Sequence, residues 1–169
     1  MSLENYFRNA WLKKEPTSPQ EITDQLGLVS RCMKDAAVEG ISDDLRFYTA
    51  FNAILALANT ALRASGYRTT TQPGHHTRTI ETLEYTIQAG DKTIRKIMAF
   101  SKKRNVASYD SAGSISDEEL KQILSTAGYL QEAVETWLSA ALALQRLRSR
   151  HTHRPSSRSW ESGTAFEPF

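Results

Sequence analysis

The sequence of 169 residues has little cysteine and no long apolar run. Its single cysteine, Cys32, excludes an internal disulfide and fits a reducing compartment. No apolar run approaches the roughly 20 residues that span a bilayer. The first residues have neither the charge nor the apolar pattern of a signal or transit peptide. We therefore expect a cytoplasmic protein with no membrane partner.

The usual catalytic signatures are also absent. The sequence contains no P-loop, G-x-G-x-x-G, H-E-x-x-H, paired CxxC or G-x-S-x-G. Its histidines form two pairs, His75-His76 and His151-x-His153, and neither has the i, i+3 or i, i+4 spacing with carboxylates of a helical metal site. We expect no metal and no cofactor. A net charge of +2 is too small for nucleic-acid binding through bulk electrostatics, so such binding would need a local cluster of charge.

What is present is helical periodicity over nearly the whole chain. Apolar residues recur every three to four positions, and no alternating strand pattern is evident. Ser18, Ser42 and Ser116 are predicted to cap long helices. The pattern predicts an all-α fold, an up-and-down antiparallel bundle of about five helices with a short N-terminal helix and a flexible C-terminal tail. The expected division is 1–17 for the N-terminal helix and linker, 18–149 for the bundle and 150–169 for the basic tail.

The stretch "KKRNVASYD", residues 102–110, is the first candidate site. Lys102 and Lys103 suit a helix C-terminus, where cations offset the helix dipole. Arg104 is followed by three hydrogen-bonding residues, Asn105, Tyr109 and Asp110. The group can grip a phosphate, or Arg104 and Asp110 can form an internal pair that fixes the loop.

The second candidate is the pair His75-His76, which follows a glycine and opens a predicted helix. Free backbone N–H groups beside exposed imidazoles, with Arg68 and Arg78 nearby in sequence, can form an anion-binding corner. The alternative is a polar helix cap. The arginines from Arg146 to Arg158 likewise suit either a phosphate-binding arm or a solubilising end.

The chain resembles HEPN domains, helical bundles of prokaryotic toxin–antitoxin, defence and nucleotidyltransferase-associated proteins. Their hallmark is an Arg, commonly followed by Asn or another polar residue, four to six positions before a His near the end of a bundle helix. "RNVASYD" keeps Arg104 and Asn105 and has Tyr109 where the His would stand. "YTAFNAILALANTALRASGYR", followed by a loop and "GHH", is similar to the first half of such domains. The resemblance covers roughly residues 18–148.

The resemblance implies a metal-independent ribonuclease in which two Arg–His motifs meet across a homodimer. Arg104 would contact phosphate, Asn105 would orient neighbouring groups and Tyr109 would occupy the position of the catalytic His. A Tyr has a reference pKa of about 10 and is a poor base at neutral pH. We therefore expect binding of RNA or nucleotide, with cleavage open, and we expect His75 or His76 to substitute if the fold brings them close.

A second functional class stays open, a non-enzymatic helical interaction protein that partners or regulates a separate enzyme such as a nucleotidyltransferase. It predicts an exposed apolar patch, which the opening helix could supply through Tyr6, Phe7 and Trp11.

Overall fold

The computed structural model describes the backbone of residues 1–110 and 114–152 and the side chains of residues 1–105 and 114–143. Its elements are α1 Leu3–Arg8, β1 Leu12–Lys14, α2 Pro19–Ala36, α3 Asp43–Ala64, β2 Tyr67–Thr69, α4 His75–Glu81, α5 Leu83–Thr86, α6 Asp91–Asp110 and α7 Asp117–Thr152. The predicted all-α class is confirmed. The chain divides into two units, Met1–Leu138 and Ser139–Phe169. The tail beyond residue 152 lies outside the described residues.

Helices α2, α3 and α7 begin at their predicted caps. The Ser18 hydroxyl accepts a hydrogen bond from the Glu21 N–H at 3.1 Å, and the Ser42 hydroxyl accepts one from Leu45 at 3.3 Å. At α7 the bond is reciprocal, because the Ser116 hydroxyl accepts from the Glu119 N–H while the Glu119 carboxylate accepts from the Ser116 N–H. Each cap satisfies a backbone donor that the first turn leaves without a partner.

Helix α3 is the centre of the first unit. Its buried side chains occur all round the helix, and it packs against α2, α4, α5 and α6. Phe47, Phe51 and Leu57 are fully buried and belong to one core with Ile97 of α6 and Leu130 of α7. A helix that is apolar on most sides is expected at the middle of a bundle.

The all-α fold includes one short strand pair that the sequence pattern does not indicate. Helix α1 ends at Arg8, and Ala10 turns the chain with a φ of 58°. Leu12–Lys14 then pairs antiparallel with Tyr67–Thr69, in the register Leu12 opposite Thr69, Lys13 opposite Arg68 and Lys14 opposite Tyr67. Leu12 is 2% exposed and lies in a second, smaller core. The predicted opening helix therefore consists of a helix, Leu3–Arg8, and a strand, Leu12–Lys14, joined by a turn.

Three further boundaries differ from the sequence prediction. The helix predicted to open at His75 breaks at Thr82, whose hydroxyl donates to the Thr79 carbonyl at 2.7 Å. Threonine side chains that bond to nearby carbonyls compete with a continuous helix. Helix α6 continues through Asp110, and α7 continues through Thr152, beyond the predicted bundle end at 149. Within the described residues, no helix combines the length and the apolar character that crossing a membrane requires.

Candidate functional site

Arg104 lies on α6 and is half-buried. Its guanidinium stands over the ring of Phe51, with the guanidinium carbon 5.4 Å from the ring centroid. A guanidinium within about 6 Å of an aromatic centroid is attracted by the negative face of the ring. Because Phe51 is fully buried in α3, the ring is a fixed platform. The contact holds the planar face of Arg104 against the core.

Helix α4 brings an imidazole to this arginine. It begins at His75, directly after Gly74, which has a φ of 82°. The His75 and His76 rings meet edge to face at a centroid distance of 4.1 Å. Burial, together with the adjacent His75 and the positive charge of Arg104, lowers the pKa of His76 below its usual value. His76 of α4 and Arg104 of α6 therefore lie within electrostatic reach of each other, and we call this pair the His–Arg corner.

The other residues of "KKRNVASYD" have different surroundings. Asn105 is exposed. Lys103 pairs with Glu119 at the start of α7, with its Nζ 2.9 Å from the carboxylate. Tyr109 and Asp110 lie on α6, but their side chains are outside the described residues. Their predicted roles therefore stay predictions, as does the Arg104–Asp110 pair.

Arg78 points to a different neighbour. Its guanidinium carbon is 4.9 Å from the Trp11 ring centroid, and Trp11 packs on the smaller core. The Nη1 atom of Arg78 is buried and has no hydrogen-bond partner among the described residues. A buried N–H without an acceptor is costly, so the aromatic contact is the described interaction that offsets the burial of this cation.

Arg68 belongs to a network of charges around β2. Its Nε lies 2.9 Å from the Glu15 carboxylate, and its Nη2 donates a short hydrogen bond to Glu21. Arg63 of α3 donates to the same Glu21 oxygen at 2.7 Å. A hydrogen bond from Thr17, together with the charges of Arg68 and Arg63, holds the pKa of Glu21 below its usual range. Glu21 thus ties α2 to α3 and β2.

A cavity of about 400 Å³ opens beside this network. Its lining consists of cations, hydroxyls and one amide, from Lys13, Asn59, Arg63, Arg68, Thr69, Thr70 and Thr71. The sequence analysis singled out only Arg68 of these residues. The others come from β1, α3, the end of β2 and the loop after it, and the threonine run in "RTTT" is a local signal for three of them.

Neither candidate contains a metal-binding cluster. Among the described residues, no group of three or more His, Cys, Asp and Glu side chains is placed to hold a metal ion. Cys32 is half-buried, and burial raises the pKa of its thiol, which makes it a weak nucleophile.

Comparison with protein-family models, with curated proteins and with solved structures gives no match. The His–Arg corner and the cavity are the two candidate sites among the described residues.

Proposed function

We propose that the chain is a HEPN-like helical bundle that binds RNA or a nucleotide through the His–Arg corner. The observation that carries the proposal is the half-buried Arg104 guanidinium on the Phe51 ring, 5.4 Å from its centroid. The lowering of the His76 pKa, to which burial, His75 and the Arg104 charge contribute, supports the participation of the imidazole. Arginine is the side chain best matched to phosphate, since its planar fork can donate two parallel hydrogen bonds. The Phe51 ring supports the guanidinium from the core side.

The imidazole of His76 can supply the proton acceptor that the motif around Arg104 lacks. Because the pKa of His76 is lowered, its neutral form predominates near neutral pH and can accept a proton. If RNA is cleaved here, His76 accepts the proton of a ribose 2′-hydroxyl and the 2′-oxygen attacks the adjacent phosphorus. The 5′-oxygen then leaves and takes up a proton, which gives a 2′,3′-cyclic phosphate. Arg104 offsets the charge that develops on the phosphate oxygens.

The proposal includes a homodimer, because in HEPN ribonucleases two motifs form one composite site. Asn105, exposed next to Arg104, would face the partner copy or the ligand. Sedimentation equilibrium of the full chain tests this part: a dimer is expected at micromolar concentration, and a monomer at all concentrations would reject it.

The decisive experiment is a binding and cleavage assay with single-stranded RNA. Arg104→Ala should weaken binding roughly tenfold or more, because hydrogen bonds to charged groups contribute about 1.5–3 kcal/mol. The slope of the logarithm of the binding constant against the logarithm of the salt concentration should also decrease by about one, as expected for the loss of one phosphate contact. The matched control is Arg95→Ala, which removes the same side chain from the same helix at a position 80% exposed and paired with Asp91. If both variants bind like the wild type, the proposal fails.

His76→Ala separates binding from chemistry. We expect it to abolish any cleavage while RNA binding falls less than in Arg104→Ala. In the wild type, the cleavage rate should rise with pH through the lowered pKa of His76 and level off by neutral pH, since the neutral imidazole is the active form. A rate that rises only near the pKa of a tyrosine, about 10, would point to Tyr109 instead.

The second candidate function, a non-enzymatic partner of another enzyme, is favoured by a different surface. The predicted patch on the opening helix is wrong, because Tyr6 is 4% exposed and Phe7 and Trp11 pack against the smaller core. Exposed apolar side chains occur instead around the α2–α3 turn, at Val38 and Leu45. Leu45→Lys should abolish a complex with a nucleotidyltransferase partner in size-exclusion chromatography, and an unchanged complex would exclude this surface.

A further inference from the structure

We propose that the cavity between α3 and the β1–β2 pair binds the phosphate of a small phosphorylated molecule. This inference does not depend on the His–Arg corner, because it uses different residues from different elements. It is carried by the convergence of Lys13, Arg63 and Arg68 with threonine hydroxyls and an amide around a cavity of about 400 Å³. Ligand cavities in proteins are typically about 300–1,000 Å³.

The strand register places two cations side by side. Lys13 and Arg68 are directly opposite each other in the antiparallel pair, so both side chains project from the same face of the sheet. Like charges at this position are destabilising unless other groups offset them. Arg63 of α3 adds a third cation to the same cavity lining. Nearby carboxylates offset part of this repulsion, and the remaining excess of positive charge favours an anion in the cavity.

Two carboxylates orient the cations without lining the cavity. Glu15 pairs with Lys13 and Arg68, and Glu21 pairs with Arg63 and Arg68. Three cations against two carboxylates leave one net positive charge. Among the hydrogen bonds of the described residues, Arg63 donates only through Nη1, and its Nε and Nη2 atoms donate to none of these residues. The carboxylates therefore fix the guanidinium groups and leave donors for a ligand.

The remaining lining groups suit a phosphate. Asn59 is half-buried and offers an amide, and the hydroxyl of Thr71 is a further donor. The Thr70 hydroxyl is directed to the Ala10 and Trp11 carbonyls and holds the loop in place. A phosphate has three strong acceptor oxygens and a charge near −2, and thus matches several cationic and hydroxyl donors better than a single carboxylate does.

Isothermal titration calorimetry of the full chain tests the proposal, with inorganic pyrophosphate and adenosine 5′-monophosphate as probes and adenosine as the ligand without phosphate. We expect both phosphorylated probes to bind and adenosine not to bind. Arg63→Gln should weaken binding at least tenfold. Asn59→Leu should also weaken binding, because it replaces the amide by an apolar side chain of the same shape. Asn59 is not part of the ion pairs around Glu15 and Glu21, so a loss of binding in this variant is not a loss of the network.

Two results would overturn the inference: no binding of either phosphorylated probe to the wild type, or wild-type affinity in both Arg63→Gln and Asn59→Leu. In that case the network is only a clamp between elements. Arg104→Ala separates this site from the His–Arg corner, which is itself proposed to bind nucleotides: the variant should keep the affinity for inorganic pyrophosphate while weakening RNA binding. Loss of both affinities in Arg104→Ala would mean that the cavity is not an independent site.

Discussion

The contact between Arg104 and the Phe51 ring can be measured by a double-mutant cycle. Phe51→Leu removes the aromatic ring, and Arg104→Met removes the charge while keeping an unbranched chain. If the ring positions the guanidinium, the two substitutions should not be additive. The reason is that the second change removes nothing further from a contact that the first has already removed.

The expected magnitudes follow from burial and distance. Phe51 is 0% exposed, so Phe51→Leu should lower the free energy of unfolding by about 1–2 kcal/mol, less than the 3–5 kcal/mol of a Phe→Ala change. Arg104 is half-buried at 5.4 Å from the ring, which supports a cation–π contribution of about 0.5–1 kcal/mol. The coupling energy of the cycle should have that size. At this chain length, each 1 kcal/mol corresponds to roughly 2–4 °C in Tm.

Urea unfolding followed by circular dichroism provides the measurement, with unchanged m values as the condition for comparing midpoints. The control cycle pairs Arg104→Met with Phe47→Leu, since Phe47 is equally buried but its described ring contact is with Phe100 at 5.8 Å. Its coupling energy should be below about 0.3 kcal/mol. If the Phe51 cycle also couples by less than this amount, the guanidinium is not held on the ring and the geometry of the His–Arg corner is refuted.

Further predictions concern ionisation and helix caps. In nuclear magnetic resonance titrations, Arg104→Ala should raise the pKa of His76 toward about 6.5, since a neighbouring positive charge is removed. An unchanged pKa would mean that the charge of Arg104 does not act on His76. Because the folded protein holds His76 with a lowered pKa, stability should fall as pH decreases from about 6.5 through that pKa, and less so in Arg104→Ala. The pKa of Glu21 is also lowered, so its ionised form stabilises the fold above about pH 4.5, and this stabilisation is lost as pH falls through the pKa of Glu21 in the folded state. Glu21→Gln should reduce this acid sensitivity in unfolding measured as a function of pH. Ser18→Ala should cost about 1 kcal/mol in urea unfolding, while Ser30→Ala inside the same helix should cost less than half of that.

The long helices could be predicted because their signals are local. A cap such as Ser116 with Glu119, followed by apolar residues at helical spacing, lies within a few consecutive residues. The β1–β2 pair could not be predicted in this way. Three residues are too few to display an alternating pattern, and the partner strand is more than 50 positions away in the sequence. Its existence is decided by the small core that Leu12 joins, which is a long-range property.

The same distinction between local signals and long-range contacts explains which residues of the candidate sites could be predicted from the sequence. Arg104 was found from a motif of a few residues and His76 from its position at a helix start, both of which are local. The cations of the cavity lie on β1, α3 and β2, and only the strand register sets Lys13 opposite Arg68. Sequence reasoning assigned Arg68 to a corner with the histidines, whereas its described partners are Glu15 and Glu21.

The chemistry of phosphate cleavage depends on where an imidazole lies, and the motif spacing is only one way to place it. An arginine and a neutral histidine must reach the same phosphate, but they need not come from one helix. In the proposed site, Tyr109 stands on α6 where the resemblance to HEPN domains would place a histidine, while the charge of Arg104 contributes to lowering the pKa of His76 on α4. A chain with a degenerate motif can therefore keep the complete pair of groups. By this reasoning Tyr109→Phe should leave RNA cleavage largely intact and His76→Ala should not; the reverse result would assign the proton transfer to α6.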